Sequence, residues 1–515
     1  MASVTGALER VRDLRLDVAD LARWQTATAL LALTAVSLWV RTRVLGAAFW
    51  IDEGLSVGIA HHPFTSIPHL LREDGSPPLY YLLLHVWIGW FGDGERATHA
   101  LSLIAALACV PLAYWVGRSL FGALSGWVCA LLAAFDPFLS YYAQETRMYA
   151  LVAALSFVVV GAYVHGVVHG RRPFVPVLGV SLAALLYTHN WGLFLALGLA
   201  VATVAAARDR WRGAAVAAAI TAALYAPWLP TLAYQSTHTG APWAMVPGFY
   251  ALALAPGAVL AGDGPLVAFA LAAGAGLVVV VRAGNDSDRR TVAALAWVGG
   301  SAIVAAWLAS EFSPAWAARY LAIVAAPVLV LAGAGFVRAG RLGLAGLAVV
   351  LLFWANPGLR DNKENARQIM HGVAPLVQPG DLVLSTHPEQ VPVLRYYLGP
   401  GYRWATTLGF DGDPQVMDWA DALPRLRAVT LRADLAPVLA SIKPGQHLVL
   451  VSPVFRDYRA WQARWTRLVY VTSQIWTRAI AHDRRFRRLA WIHTDEILLK
   501  RNFFKPLQAV VYVRR

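Results

Sequence analysis

Long uninterrupted apolar runs dominate this chain. Stretches of about 17 to 25 residues, long enough to cross a bilayer with allowance for tilt, lie near 25–45, 97–117, 122–141, 148–168, 173–189, 191–207, 213–231, 264–282, 290–309, 319–337 and 341–356, which predicts roughly eleven spanning helices. The N-terminal Arg cluster, Arg118, Arg171-Arg172, Arg208 to Arg212, Arg282 to Arg290 and Arg338 with Arg341 all fall on one side of these spans. Positive charge collects on the cytoplasmic side, so the N-terminus is expected inside. Arg41 and Arg43 stand at the other end of the first span and are read as interfacial. Residues 1–24 read as a cytoplasmic amphipathic segment ahead of a retained span, being too long and too acidic for a signal-peptide n-region. Residues 46–96 form a large first external loop. In it, Ser76 as cap and Pro77 in the first turn predict a helix from Leu79, rich in Tyr and Trp and lying along the outer leaflet.

After Asn356-Pro357 the pattern changes: charge rises and apolar runs shorten to strand length at 381–385, 447–451 and 508–512, with helical stretches at 361–377 and 456–468. The expected architecture is a polytopic α-helical domain over 25–356 followed by an α/β domain over 357–515. An odd number of spans places the second domain outside the cytoplasm.

Composition narrows the class. The 515 residues are 58% hydrophobic and only 14% charged, and the mean hydropathy is +0.51, which excludes a soluble globular protein. A net charge of +14 could suggest nucleic acid. The basic residues cluster between apolar runs and in the C-terminal part, however, so membrane lipids explain them and no nucleic-acid partner is expected. Cys109 and Cys129 both lie in apolar segments, leaving neither a disulfide framework nor a zinc ligand set. No Gly-rich phosphate loop follows a strand. Arg-dominated, Ala- and Gly-rich usage points to a GC-rich bacterial genome and hence to a plasma-membrane location.

Ionisable residues not explained by the charge bias converge on the external face. Phe49-Trp50-Ile51-Asp52-Glu53-Gly54 puts two acids just after the first span, and Tyr141-Tyr142-Ala143-Gln144-Glu145-Thr146-Arg147-Met148-Tyr149 forms a short polar loop. His189 and Arg319-Tyr320 lie on the same side. Acids are costly at membrane depth, so such a set marks a water-facing site. A carboxylate can accept a hydroxyl proton, and guanidinium groups bind phosphate and stabilise charge on a leaving phosphate. With no nucleotide sugar outside the cell, the activated donor would be a lipid-linked phosphosugar. That combination specifies glycosyl transfer.

The sequence resembles polyprenyl-phosphate-sugar-dependent glycosyltransferases of the GT-C superfamily, near bacterial relatives of protein O-mannosyltransferases and of the lipid A aminoarabinose transferase. The resemblance covers roughly the first 360 residues and rests on Trp50-Ile51-Asp52-Glu53, Ser76-Pro77-Pro78-Leu79-Tyr80-Tyr81, Phe91-Gly92 with Arg96 and Ser102, Gln144-Glu145-Thr146-Arg147-Met148-Tyr149, and Arg319-Tyr320. It implies an inverting transfer with Asp52 as general base on a hydroxyl of an envelope glycan, lipid or protein acceptor. The sugar would be mannose, arabinofuranose or similar. Glu53 would orient the loop or bind acceptor, or be a solvated neighbour. Glu145 would bind acceptor or metal, or form a loop salt bridge with Arg147. Arg147 and Arg319 are the candidates for the donor phosphate, against headgroup snorkelling, and Tyr80, Tyr81, Tyr149, His189 and Tyr320 for further substrate contacts. Histidines 61, 62, 69, 85, 189 and 238, with Asp52 or Glu145, could hold a divalent metal ion, although their spacing matches no tight ligand motif. The chain departs from the aminoarabinose transferases in having Ser76-Pro77-Pro78 where they carry Glu-Lys-Pro. Rival readings are a lipid-linked-sugar flippase or transporter, and a membrane scaffold. The first expects ionisable residues at the bilayer midplane, and the second leaves the acidic and Arg-bearing loops without a task.

Overall fold

A computed structural model of the protein describes residues 22–355, 363–455, 458–494 and 505–515. Most of the expected cytoplasmic segment 1–24, the 356/357 boundary and the first residues of two expected helices lie outside these. A helix occupies each of the eleven predicted runs. Among the described residues six helices are long and apolar enough to cross a membrane: Glu95–Phe121, Tyr149–Val168, Arg208–His238, Asp263–Ala283, Asp286–Phe312 and Ala318–Arg338. Others are shorter, among them Ala123–Phe135, Phe174–Thr188, Gly192–Ala206 and Gly340–Trp354. The run at 122–141 is broken because Asp136 caps a new turn, Pro137–Tyr142, its carboxylate accepting from the Phe138 N–H at 2.7 Å.

Two local expectations are corrected. Arg41, at the end of the helix Arg23–Arg41, is not interfacial but fully buried: it donates to the carbonyls of Ala106 at 2.7 Å and Ala133 at 2.6 Å. Ala133 lies in the last turn of Ala123–Phe135, where carbonyls lack helical partners, and Ala106 lies mid-helix, five residues before Pro111, so its carbonyl accepts as a second bond; charge-assisted bonds of this kind hold a desolvated guanidinium. The loop helix starts at Leu79 after Pro78, with no side-chain cap, so Ser76 does not cap it. Two successive prolines keep the backbone before them out of the helical region and shift the start downstream.

The segment 46–96, expected to be the first external loop, folds into three helices, Ile51–Ala60, Ile67–Asp74 and Leu79–Phe91. In the C-terminal part, β1 (Leu382–Ser385), β2 (Arg403–Thr406), β3 (Gly409–Asp411), β4 (His447–Pro453), β5 (Phe486–Ile492) and β6 (Leu507–Arg514) form one sheet in the order β3-β2-β1-β4-β6-β5. Strands β2, β1 and β4 run parallel, whereas β3, β6 and β5 each pair antiparallel to a neighbour. The three predicted strands are β1, β4 and β6. The helix expected at 361–377 is Ala366–Val373, and that expected at 456–468 falls later, at Arg464–Ala481.

The two parts share their cores. Phe49 and Val57 from the segment 46–96 pack with Val391, Val393, Trp404 and Val449 of the sheet domain. In return Trp419, Trp461 and Trp465 join the large cluster of the helical domain. Burying aromatic area on both sides of a boundary opposes domain motion.

Candidate active site

The helix Ile51–Ala60 begins with the acidic pair, and successive residues on a helix point about 100° apart. The two carboxylates therefore go different ways. Asp52 faces a cavity of about 330 Å³ that is also lined by Trp50, Asp74, Ser76, Arg147, Trp243, Arg319 and Tyr320. Its carboxylate lies 3.6 Å from the Arg319 guanidinium, with both side chains 21% exposed. Such a partly exposed, loose pair is weakly held and opens to a ligand at little cost.

Arg319 sits over three rings, 5.5 Å from Trp50, 4.9 Å from Trp243 and 5.4 Å from Tyr320. This aromatic collar fixes the cation's place while leaving its donors available. Arg147 is buried and donates through Nη1 to Ser56 Oγ at 2.9 Å, the Tyr81 hydroxyl at 3.2 Å and the Asp52 carbonyl at 3.3 Å. Its backbone is held as well, since Ser102 Oγ donates to the Arg147 carbonyl at 3.0 Å and stands 3.0 Å from the Tyr80 hydroxyl. Among the described residues, Nε of both arginines has no hydrogen-bond partner. Buried donors of this kind normally find one, and both guanidinium groups belong to residues that line the cavity, a pair of cations suited to an anion.

Of the other expected substrate contacts, Tyr320 lines the cavity. Tyr149 and His189 form its backing, their rings 6.1 Å and 4.6 Å from that of Tyr320. Tyr80 and Tyr81 are buried and support Ser102 and Arg147 respectively. The reading of Arg147 as a snorkelling side chain does not hold, because it is enclosed by protein.

Glu53 is not a solvated neighbour. It is fully buried, with His99 Nε2 2.6 Å and the Thr146 N–H 2.7 Å from Oε1, and Lys363 Nζ 3.0 and 2.9 Å from its two oxygens. Burial alone would raise its pKa; the charges of Lys363 and His99 and the bonds to them overcome that and hold it at about 2. Glu145 is also buried, with the Tyr141 hydroxyl as its hydrogen-bonding neighbour. Burial, opposed by Lys363 and reinforced by the charge of Glu53, lifts it to about 7. No ion pair joins Glu145 to Arg147 among the described residues. Asp74, another acid at the cavity, is raised by burial to about 6 despite its bond to Ser76. Among the described residues no three His, Cys, Asp or Glu side chains gather as a metal-ligand set.

Several site residues escape sequence reasoning. Glu389, Trp419, Thr466 and Lys505 line the same cavity from the sheet domain. Glu389 is held well below the usual carboxylate range: its burial is outweighed by Lys505 at 3.1 Å and His387 at 2.8 Å. The one available signal is lysine scarcity. The sequence has Lys only at 363, 443, 500 and 505, and two of these, Lys363 and Lys505, are buried against glutamates.

No family model matches the chain, and no curated sequence matches it closely enough to count as a relative. Solved structures do match. ArnT from Cupriavidus metallidurans, bound to undecaprenyl phosphate, superposes with a TM-score of 0.62 at 15% identity, covering 95% of this chain and 98% of that one. The arabinofuranosyltransferase AftD from mycobacteria gives 0.56 at 14% identity over 97% of this chain and 40% of its own. The oligosaccharyltransferase AglB from Archaeoglobus fulgidus, in complex with an inhibitory peptide and a dolichol-phosphate, gives 0.53 at 10% identity over 84% and 70%. The protein therefore has the GT-C membrane fold. Its likeness to ArnT extends through the sheet domain, so the whole two-domain arrangement is shared and not the helical part alone.

Proposed function

We propose that this protein is a glycosyltransferase of the plasma membrane that moves a sugar from a polyprenyl-phosphate donor to a hydroxyl of an envelope glycan, lipid or protein on the external face. The observation that carries the reading is the pairing, in one cavity, of a partly exposed Asp52 with two arginines whose Nε–H groups lack partners among the described residues. Support for the donor class comes from the undecaprenyl phosphate and dolichol-phosphate bound to structural neighbours.

In this mechanism Asp52 takes the proton of the acceptor hydroxyl, and that oxygen bonds to the anomeric carbon from the face opposite the phosphate. The carbon–oxygen bond to phosphate breaks as the new bond forms, inverting the centre. The electron pair departs on polyprenyl phosphate, whose growing charge is met by Arg147 and Arg319. A phosphate monoester is a tolerable leaving group, so no strong general acid is required. Asp52 afterwards yields its proton to water.

The test is transfer from a panel of polyprenyl-phospho-sugars to envelope acceptors by purified wild-type and Asp52→Asn protein. A fall of about 100-fold or more in the variant is expected, the usual scale for losing a general base. Transfer unchanged by the substitution would remove Asp52 from the role. Lipid translocation without transfer would favour a flippase.

A further inference from the structure

Glu53 and Glu145 lie near the candidate base without lining its cavity, and one cation bonds the first and acts on the second by its charge. Lys363, the first described residue after the helical domain, crosses into that domain to bond both Glu53 oxygens and the Gln144 carbonyl, the last at 2.6 Å. Its own backbone is anchored on the other side. Two residues on, Asn365 exchanges bonds with β6: its Nδ2 donates to the Leu507 carbonyl at 2.8 Å, and its Oδ1 accepts the Leu507 N–H at 2.7 Å. The segment 363–365 thus ties the sheet to the start of the Asp52 helix and to the loop that presents Arg147.

The sheet domain grips the same helix elsewhere. The Phe49 N–H donates to the Tyr397 hydroxyl at 2.7 Å, and His62 Nε2 lies 2.9 Å from Asp413. Gly54 and Gly58 face the domain so closely that a Cβ would stand 2.5 Å from Val393 and 1.9 Å from the Gln415 carbonyl.

We propose that Lys363 is a positioning residue, through which the C-terminal domain sets the aim of Asp52 by clamping the neighbouring Glu53 carboxylate to the Gln144 carbonyl. This rests on the reading of Asp52 as the base. It gives the C-terminal domain a role in the reaction: the domain holds the catalytic helix in register with Arg147, and Lys363 is the contact that does so by charge. A displacement of about 1 Å at a reacting group can cost about 100-fold in rate, so the effect falls on kcat.

The experiment compares full-length wild type, Lys363→Met, Glu53→Gln and the double variant for two quantities: transfer kinetics, and thermal unfolding against pH without donor. Around Glu53 the titratable groups are His99, Lys363, Glu145, Tyr80, Tyr141 and Tyr397. With Lys363→Met the Glu53 carboxylate loses its main counter-charge, so burial raises its pKa. Folding then favours its protonated form, and Tm should be depressed at alkaline pH and recover as pH falls. The double variant removes both charges and should restore Tm and flatten its pH dependence, since replacing a whole buried pair is far milder than breaking one.

Positioning predicts that kcat stays about 100-fold down in the double variant, with the donor KM little changed. Return of kcat together with Tm would reduce Lys363 to a structural role and overturn the proposal, as would wild-type kcat in Lys363→Met. If wild type itself transfers no sugar from any donor, the glycosyltransferase reading falls and takes this one with it; an active wild type with an unaffected Lys363→Met sinks this one alone.

Discussion

At the residue scale, Asp52 and Glu53 differ by one methylene and one step along a helix, yet their environments are opposite. Asp52 opens on the cavity, whereas Glu53 is enclosed with no exposure. The sequence makes the pair conspicuous, because acids beside a membrane span need a reason. Which of the two meets solvent depends on helix phase and on Lys363, 310 residues further on, and no local pattern encodes that. Glu145 gives the clearest pH prediction. Its folded pKa of about 7 lies above the ordinary 4.5, so the folded state binds an extra proton between these values. Stability associated with this group is therefore present below the ordinary value and lost as pH rises through the folded one. Glu145→Gln should unfold at a higher temperature than wild type at about pH 8, with the gain vanishing near about pH 5. A gain independent of pH would show that the carboxylate is ionised throughout.

At the scale of elements, the helix Ile51–Ala60 is a short piece that cannot stand alone, since an isolated helix of 10 residues is marginal in water. Its stability comes from being sandwiched, and the two glycines on its domain side make the approach possible. Gly58→Ala puts a methyl group onto the Gln415 carbonyl, where backbone and not a flexible side chain must yield. A cost of about 1–3 kcal/mol is expected by denaturant unfolding, with activity falling alongside. The same change at Gly89, which has open space around it, should leave stability unharmed. The loop helix Leu79–Phe91 shows how much can be read locally. Its existence, short length and start at Leu79 follow from composition, but its cap was misassigned, because Pro78 and not Ser76 is the residue that precedes the first helical turn.

At the scale of the whole molecule, hydropathy made the helical architecture legible, because each spanning element must satisfy its own backbone and bury its own apolar length. Three of the six strands, β1, β4 and β6, were legible as short apolar runs, whereas β2, β3 and β5, two of them at the sheet edges, carry no such run. The wall that Glu389, Trp419 and Lys505 add to the cavity was not legible, since it arises only when two distant parts of the chain meet. Orientation can be tested directly. Cys109 and Cys129 are both buried, so the native thiols should stay silent to a membrane-impermeant maleimide in intact cells. Lys443→Cys, on an exposed turn of the sheet domain, should label from outside, and Ser287→Cys, exposed at the foot of Asp286–Phe312, only after the membrane is opened. The reverse pattern would invert the topology.

The order of strands bears on how the protein is made. Strand β6 lies between β4 and β5, although it follows both in the chain. During synthesis the helices can enter the membrane one after another while the sheet still lacks an inner member. Only when residues 507–514 have emerged can they slot between two waiting neighbours, bring the adjacent Lys505 to the cavity and lock Asn365 in place. The cavity wall and the Asn365 anchor are therefore the last parts of the fold to be completed, because both depend on a strand that can join the sheet only after its two neighbours have been made.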